Sequence, residues 1–244
     1  MTIRYEANPP KILSDVNTDE SIRKFLDRVK IISKKCDAIH LTENVLGHER
    51  VSPIKIAEII KREIPEIPIT VSLRVRDKNE NEIEKFVDNC ISIGITGILI
   101  IMGDPAKSNS TNSGLIPSLV VSNLKNKKYD SKIELYLSIS NKPNFSKVGK
   151  KIEANPKGFM TQVVQNIQQV QNLSDNLKQF SIIPIILFPS EKNQKSAEFL
   201  GLNLTEYSKE FDKFVKETYK ITGDILITSP NDFNGLNEYL QNYS

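Results

Sequence analysis

The feature that most constrains the fold of this 244-residue chain is an alternation of short apolar runs with amphipathic segments, repeated about eight times. The runs are rich in Ile, Val and Leu, and several are apolar at every position, which is typical of parallel strands buried on both faces. Between them, Ile22, Phe25, Leu26 and Val29 show the i, i+3, i+4, i+7 spacing of an amphipathic helix. Strands are predicted near Ile3–Asn8, Asp37–Asn44, Pro68–Arg76, Gly97–Asp104, Lys132–Ser140, Phe159–Val164, Ile182–Phe188 and Asp224–Ser229.

Strands that alternate with helices indicate a parallel α/β architecture, and eight repeats predict closure into a single (β/α)8 TIM-type barrel. An open, doubly wound sheet is the alternative, because counting elements does not establish closure. No Pro-, Gly- or Ser-rich linker divides the chain, so residues 1–244 are predicted to form one domain. The segment 107–114 is interpreted as a mobile loop over the barrel mouth.

The composition is typical of a soluble globular protein, with 39% hydrophobic and 26% charged residues. A net charge of +3 is too small to favour nucleic acid, and the longest apolar run, at 182–189, is too short to cross a bilayer. The first residues lack the apolar region of a secretory signal, and Cys36 and Cys90 are interpreted as reduced core residues without metal-ligand spacing. A cytoplasmic protein without a metal site is therefore predicted.

Polar residues stand where four of the predicted strands end. In a βα barrel, reactive groups gather at the carboxyl ends of the strands, on one face of the molecule. Glu6, Thr42, Asp104 and Gln162 are therefore expected to meet in one site, although they are far apart in the sequence.

Glu6 is expected to point into the barrel, because alternate residues of a strand face opposite sides and the odd-numbered residues at 3–7 are apolar. A carboxylate inside a barrel is costly unless it is paired or used in chemistry. Two interpretations of Glu6 are therefore open: a catalytic group, or a structural ion pair with Arg4 or Arg74.

The other strand-end residues also allow two interpretations. Asp104 follows Gly103, which lets the backbone approach a ligand closely, but an Asp before Pro105 is also a common turn cap. Thr42 and Gln162 offer neutral donors and acceptors that suit the amide-like edge of a heterocycle.

Two kinds of motif are missing. The chain has no G-x-G-x-x-G and no G-x-x-x-x-G-K-[ST], so a nucleotide cofactor would bind by another route. His40 and His48 are the only histidines, which nearly excludes histidine-rich catalytic schemes. Lys150 and Lys151, on the predicted helix before the sixth strand, are interpreted either as solvated surface or as a cation aimed at a phosphate.

Taken together, these segments resemble the methylenetetrahydrofolate reductase family, βα-barrel enzymes that reduce a methylene-pterin to a methyl-pterin. The likeness covers roughly residues 3–165 and follows the family's order of motifs. The matching segments are Glu followed by Pro-Pro at 6–10, Thr-acid-Asn at 42–44, Arg-x-Ser at 50–52, Arg-Asp-x-Asn at 76–79, Gly-Asp at 103–104, and Thr-Gln at 161–162 with Lys151 eleven residues before the Gln.

The resemblance implies a role for each matching residue. Glu6 would be the general acid that opens the five-membered ring of the substrate to an iminium, which would require a raised carboxyl pKa. Asp104 would lie beside the flavin and the pterin, and Gln162 would hydrogen-bond the pterin or the nicotinamide. Thr42 would contact the flavin ring of FAD, and Lys151 its pyrophosphate. Hydride would pass from NAD(P)H to FAD and then to the pterin substrate.

The chain departs from the family at several flavin contacts. Met102 stands where flavin-binding bacterial members have an Arg before Gly-Asp, and Ser72 stands where a His is common. The family's His-Pro-Glu segment is Asn-Lys-Pro-Asn at 141–144, and its aromatic-rich eighth strand is replaced at 225–230. Reduction with weakly bound or no flavin, or with a partner subunit, therefore stays open.

Three functions fit the sequence. The first is a methylene-pterin reductase. The second is a non-catalytic accessory barrel that binds a pterin or a partner enzyme, and the third is a barrel enzyme that uses Glu6 and Asp104 as a carboxylate pair on another small molecule. Whether the carrier is tetrahydrofolate or a methanopterin relative, which electron donor acts, and whether the chain forms a homo-oligomer stay open.

Overall fold

Eight parallel strands form a closed barrel in sequence order in the computed structural model, which describes residues 2–14, 17–105 and 112–243. β1 closes the barrel by pairing with β8, with Thr2 beside Asp224 and Tyr5 beside Ile227. The predicted (β/α)8 barrel is therefore confirmed and the open sheet is excluded. The strands are β1 (Thr2–Ala7), β2 (Ala38–Leu41), β3 (Ile69–Arg74), β4 (Gly97–Ile101), β5 (Glu134–Ile139), β6 (Gly158–Val163), β7 (Ser181–Leu187) and β8 (Asp224–Thr228).

Helices surround the strands, and their starts are encoded locally. The side chain of Asn17 accepts hydrogen bonds from the first turn of the first helix, and Asn79 forms a reciprocal capping box with Glu82. A pair of short helices precedes the long helix that joins β7 to β8. The helices are α1 (Thr18–Ile32), α2 (Pro53–Glu63), α3 (Glu80–Ile93), α4 (Pro117–Asn126), α5 (Gly149–Glu153), α6 (Ile167–Asn176), α7 (Gln194–Phe199), α8 (Leu204–Lys209), α9 (Phe211–Thr222) and α10 (Phe233–Leu240).

Every strand ends one to three residues earlier than predicted, and the difference is largest for two of them. β2 stops at Leu41 rather than Asn44, and β4 stops at Ile101 rather than Asp104. Asn44 has a φ of 45° and Gly103 a φ of 83°, left-handed conformations that do not continue a strand. Thr42 and Asp104 consequently lie in the loops that follow these strands.

The core has two parts. Between the strands and the helices, alternate strand residues pack outward, as where the Phe159 ring meets the Phe180 ring edge-on at 5.1 Å. Inside the barrel, inward-facing side chains form a second cluster. Arg4 also faces inward, where it pairs with Asp224 at 2.7 Å. The inner cluster consists of Leu99, Tyr136, Met160, Ile183 and Leu226.

A buried histidine lies in the barrel interior. His40 is 1% exposed, and its two ring nitrogens contact the hydroxyl oxygens of Thr70 and Ser72 at 2.9 and 3.0 Å. Burial, together with the charge of Arg4, lowers the pKa of His40 to about 3. The ring is therefore neutral at physiological pH.

We expect His40 to make the protein sensitive to acid. Between pH 6.5, its ordinary pKa, and about pH 3, the unfolded chain binds a proton at this ring and the folded protein does not. Protonation of His40 in the unfolded chain therefore destabilises the folded protein as the pH falls below 6.5. The loss in the free energy of unfolding reaches about 2 kcal/mol at pH 5. Urea unfolding at pH 7.5 and pH 5 measures it. His40→Asn should lose less free energy of unfolding between the two pH values than the wild type, and an equal loss would contradict the assignment.

Candidate active site

A cavity of about 770 Å³ opens at the carboxyl ends of the strands, a size typical of small-molecule sites. Strand ends, the loop after β5 and the helix α7 supply most of its walls. The lining includes Glu6 from β1, Gln162 and Val163 from β6, Ile185 and Leu187 from β7, Thr228 from β8, Asn141 and Lys142 from the loop after β5, and Lys195, Ser196 and Phe199 from α7.

Glu6 contributes the acidic group of this cavity. The hydroxyl of Thr228 donates a hydrogen bond of 2.7 Å to Oε1 of Glu6. Within residues 2–14, 17–105 and 112–243, no basic side chain forms an ion pair with Glu6. Arg4 pairs instead with Asp224, and the guanidinium of Arg74 donates to backbone carbonyls. The predicted alternative, a structural ion pair with Arg4 or Arg74, is therefore wrong.

The surroundings of Glu6 favour its protonated form. Burial raises the pKa of the Glu6 carboxyl above its usual range, because removing water disfavours the carboxylate. The hydrogen bond from Thr228 and the positive charge of Arg50 lower this pKa in part. A carboxyl group that keeps its proton closer to neutral pH is suited to general acid chemistry.

Gln162 lies across the same cavity, as the sequence predicts. Its side chain is exposed on the carboxyl side of β6, next to Val163, whose carbonyl accepts a hydrogen bond of 2.6 Å from Asn141. The amide of Gln162 thus offers a donor and an acceptor to a ligand in the cavity that the Glu6 carboxyl also lines.

Thr228 and Phe199 are among the residues of the cavity that were not predicted from the sequence. Thr228 ends β8 with a polar side chain, the same signal that pointed to the other strand-end residues. Phe199 ends α7 and is 78% exposed although it lines the cavity. Nothing in the sequence distinguishes Phe199 from a core residue, because its exposure follows from where α7 packs.

Three other predicted site residues are placed elsewhere on this face. Thr42 is 7% exposed and donates its only hydroxyl proton to Oδ1 of Asn8 at 2.7 Å. Nζ of Lys151 is half-buried and donates to the carbonyl of Ser138 at 2.6 Å, and burial lowers the pKa of this ammonium. Asp104 lies exposed in the loop after β4. None of the three lines the cavity beside Glu6.

Thr42 and Lys151, which the resemblance assigns to the flavin ring and the pyrophosphate of FAD, are bonded to the protein itself. Thr42 therefore has no hydroxyl proton left for a flavin, whereas the Lys151 ammonium keeps two N–H donors that suit a phosphate. The contact of both residues with FAD stays a prediction. Most of the predicted loop over the barrel mouth, residues 107–111, lies outside the described residues.

In the part of the chain that the structure describes, no three His, Cys, Asp or Glu side chains are grouped so that they could hold a metal ion. No helix of the described ranges combines the length and the apolar character needed to cross a membrane.

The solved structures that resemble this chain share its fold. A protein from Clostridium thermocellum, described as uncharacterized and as binding two copies of 5-methyl-5,6,7,8-tetrahydrofolic acid, is 15% identical, with a TM-score of 0.66 over 98% of this chain and 92% of that chain. A protein from Aquifex aeolicus VF5 is 11% identical, with a TM-score of 0.58 over 99% and 90% of the two chains. A 2,3-dimethylmalate lyase of the PEP mutase/isocitrate lyase superfamily is 10% identical, with a TM-score of 0.56 over 99% and 79%.

At these identities the structural likeness establishes the fold alone, and no curated protein matches the chain. The sequence profile described as methylenetetrahydrofolate reductase, however, matches residues 1–202, which is most of the chain. The protein therefore belongs to the methylenetetrahydrofolate reductase family.

Proposed function

We propose that this protein reduces a methylene-pterin, either 5,10-methylenetetrahydrofolate or a methanopterin relative, to its 5-methyl form. The observation that carries the proposal is the Glu6 carboxyl, whose pKa is raised by burial, on the wall of a cavity shared with Gln162 in a member of this family. A protein of the same fold binds 5-methyltetrahydrofolate, which supports a pterin as the ligand.

The chemistry requires a proton before it requires a hydride. Protonation of a bridging amine by Glu6 breaks one carbon–nitrogen bond of the five-membered ring and leaves an iminium on the other nitrogen. NAD(P)H, reduced FAD or a partner donor would supply the hydride that turns the iminium carbon into a methyl group. The Thr228 hydroxyl bonds Oε1, so Oε2 of Glu6 is the oxygen that would hold the transferred proton.

The rest of the cavity would bind and orient the pterin. The amide of Gln162 can pair with the amide-like edge of the ring. Ile185 and Leu187 form an apolar wall, and the exposed ring of Phe199 offers a flat face at the entrance. These contacts hold the substrate and exclude water from its apolar surfaces.

Phe199→Ala should raise KM for the methylene-pterin about tenfold and change kcat little, because the ring is expected to contact the substrate equally in the ground state and the transition state. Steady-state kinetics measure the effect. Leu119→Ala is the control, because Leu119 is 54% exposed on α4 and does not line the cavity. An unchanged KM in Phe199→Ala would show that the ligand does not contact this ring.

A non-catalytic pterin-binding barrel is the second candidate. The observation that favours it is the engagement of Thr42 and Lys151 with the protein's own groups, since both were expected to bind FAD. The use of FAD and NAD(P)H, a homo-oligomer or partner subunit, one domain over 1–244 and a cytoplasmic location stay predictions.

The test is product formation by the purified chain. We would incubate it with 5,10-methylenetetrahydrofolate and supply NADH, NADPH or chemically reduced FAD in separate reactions. The proposal predicts 5-methyltetrahydrofolate in at least one of them. Binding of 5-methyltetrahydrofolate without turnover by any donor would support the accessory barrel, and neither binding nor turnover would favour another substrate for Glu6.

A further inference from the structure

Arg74 is a buried cation at the carboxyl end of β3. The residue is 1% exposed, and its ion pair with Asp77 is long, at 3.7 Å. Its Nε has no hydrogen-bond partner within the described part of the chain. Burying a guanidinium with so few partners is costly, so stability alone does not explain this residue.

The hydrogen bonds of Arg74 join two loops of the face that carries the cavity. Nη1 donates to the carbonyl of Asn44 at 3.2 Å, and Nη2 donates to the carbonyl of Asp104 at 2.8 Å. The residues that carry these carbonyls lie in the loops after β2 and β4, the strands that pair with β3 on its two sides. One side chain therefore fixes the chain direction after both flanking strands.

The corner after β4 packs directly on this guanidinium. A Cβ atom added to Gly103 would lie 2.6 Å from Nε of Arg74, and Gly103 has a φ of 83°. Nε of Arg76 donates to the carbonyl of Gly103 at 2.9 Å. The carbonyls of Gly103 and Asp104 are thus held by two arginines that project from the third strand and its end.

We propose that Arg74 is a positioning residue that fixes the Gly103-Asp104 corner and the Asn44 turn, so that the Asp104 side chain meets the substrate in one place. This inference rests on the proposed reductase function and on the predicted contact of Asp104 with the substrate. Asp104 lies on the same face of the barrel as the cavity but does not line its wall beside Glu6. A guanidinium suits the task, because its planar, preorganised fork reaches two carbonyls at once, whereas an ammonium group is a single flexible point.

Arg74→Lys tests the proposal in the full-length protein. We expect kcat to fall about 100-fold, with a smaller change in KM, because a small misplacement of a positioned group is that costly. Arg62→Lys is the control, since Arg62 is exposed on α2 and pairs with Glu58 at the surface; its kcat should stay within about threefold of wild type. Wild-type kcat in Arg74→Lys would overturn the proposal.

A double-mutant cycle separates positioning from simple loss of structure. If Arg74 acts through Asp104, adding Arg74→Lys to Asp104→Asn should lower kcat little further. Independent losses that multiply would contradict the proposal. Gly103→Ala is a second variant that displaces the guanidinium without removing its charge, and its effect should likewise not multiply with that of Arg74→Lys.

A measurement that needs no turnover distinguishes failure of the positioning role from failure of the proposed reductase function. Hydrogen exchange measured by mass spectrometry should be faster at 42–47 and 102–105 in Arg74→Lys than in the wild type and in Arg62→Lys. Equal protection in all three proteins would overturn the positioning role. An inactive wild type with the expected exchange pattern would instead count against the proposed function alone.

Discussion

Glu6→Gln should lower kcat for methylene-pterin reduction by about 100-fold to 10,000-fold, the range that general acid catalysis contributes. The amide keeps the shape of the carboxyl group and can bond Thr228, but it has no acidic proton to give to the substrate. Pre-steady-state mixing with the hydride donor would show the loss in the first turnover, because the missing proton is needed before reduction.

The same variant should be more stable than the wild type at neutral pH. The pKa of Glu6 is raised in the folded protein, so the folded state binds this proton more tightly than the unfolded chain. The stability that the proton contributes is fully present below the ordinary pKa of 4.5 and is lost as the pH rises through the folded pKa. Gln stays neutral at every pH. The melting temperature of Glu6→Gln relative to wild type should therefore rise between pH 4.5 and pH 8.

Glu134→Gln is the matched control for both measurements. Glu134 stands at the opposite, amino end of the barrel, where the Tyr136 hydroxyl donates to it at 2.7 Å, and it does not line the cavity. Its replacement should leave kcat unchanged. Normal turnover by Glu6→Gln would show that another group supplies the proton.

Gly158→Ala should destabilise the barrel by about 3 kcal/mol or more. A Cβ at Gly158 would lie 2.2 Å from the backbone carbonyl oxygen of Ser181, on the neighbouring strand β7. Each strand of a closed barrel is paired on both sides, so neither β6 nor β7 can move away without breaking other hydrogen bonds. Against a typical total stability of about 5–15 kcal/mol, this loss is large.

Urea unfolding of Gly158→Ala beside Gly149→Ala measures this effect. Gly149 begins α5, and the closest atom to an added Cβ is a side-chain oxygen of Glu153 at 3.9 Å, so that variant should be unchanged or up to about 1 kcal/mol more stable. Equal stability of the two variants would contradict the pairing of β6 with β7.

The sequence predicted the barrel because the alternation of apolar runs with helical periodicity is a local property that tertiary contacts preserve. The ends of β2 and β4 were predicted too late for the opposite reason. Asn44 and Gly103 adopt left-handed conformations where both contact Arg74, a residue of the neighbouring strand β3. Such contacts leave no trace in the residues next to the turn.

The candidate site was predictable where it depends on strand ends. Glu6 and Gln162 follow from strand position, since inward-facing residues at the carboxyl ends of parallel strands share a cavity. The partners of Arg74 and the exposure of Phe199 did not follow, because they depend on how loops and α7 fold back over the barrel.

Whether the cavity beside Glu6 holds a pterin is decided by calorimetric titration of 5-methyltetrahydrofolate into three proteins. Ser196→Trp places a large ring in this cavity, whereas Gln168→Trp places it in a cavity of about 780 Å³ beside α6 and α9. We expect the wild type and Gln168→Trp to bind with the same Kd, and Ser196→Trp to bind at least about tenfold more weakly. Undiminished binding by Ser196→Trp would contradict the assignment of this cavity to the pterin.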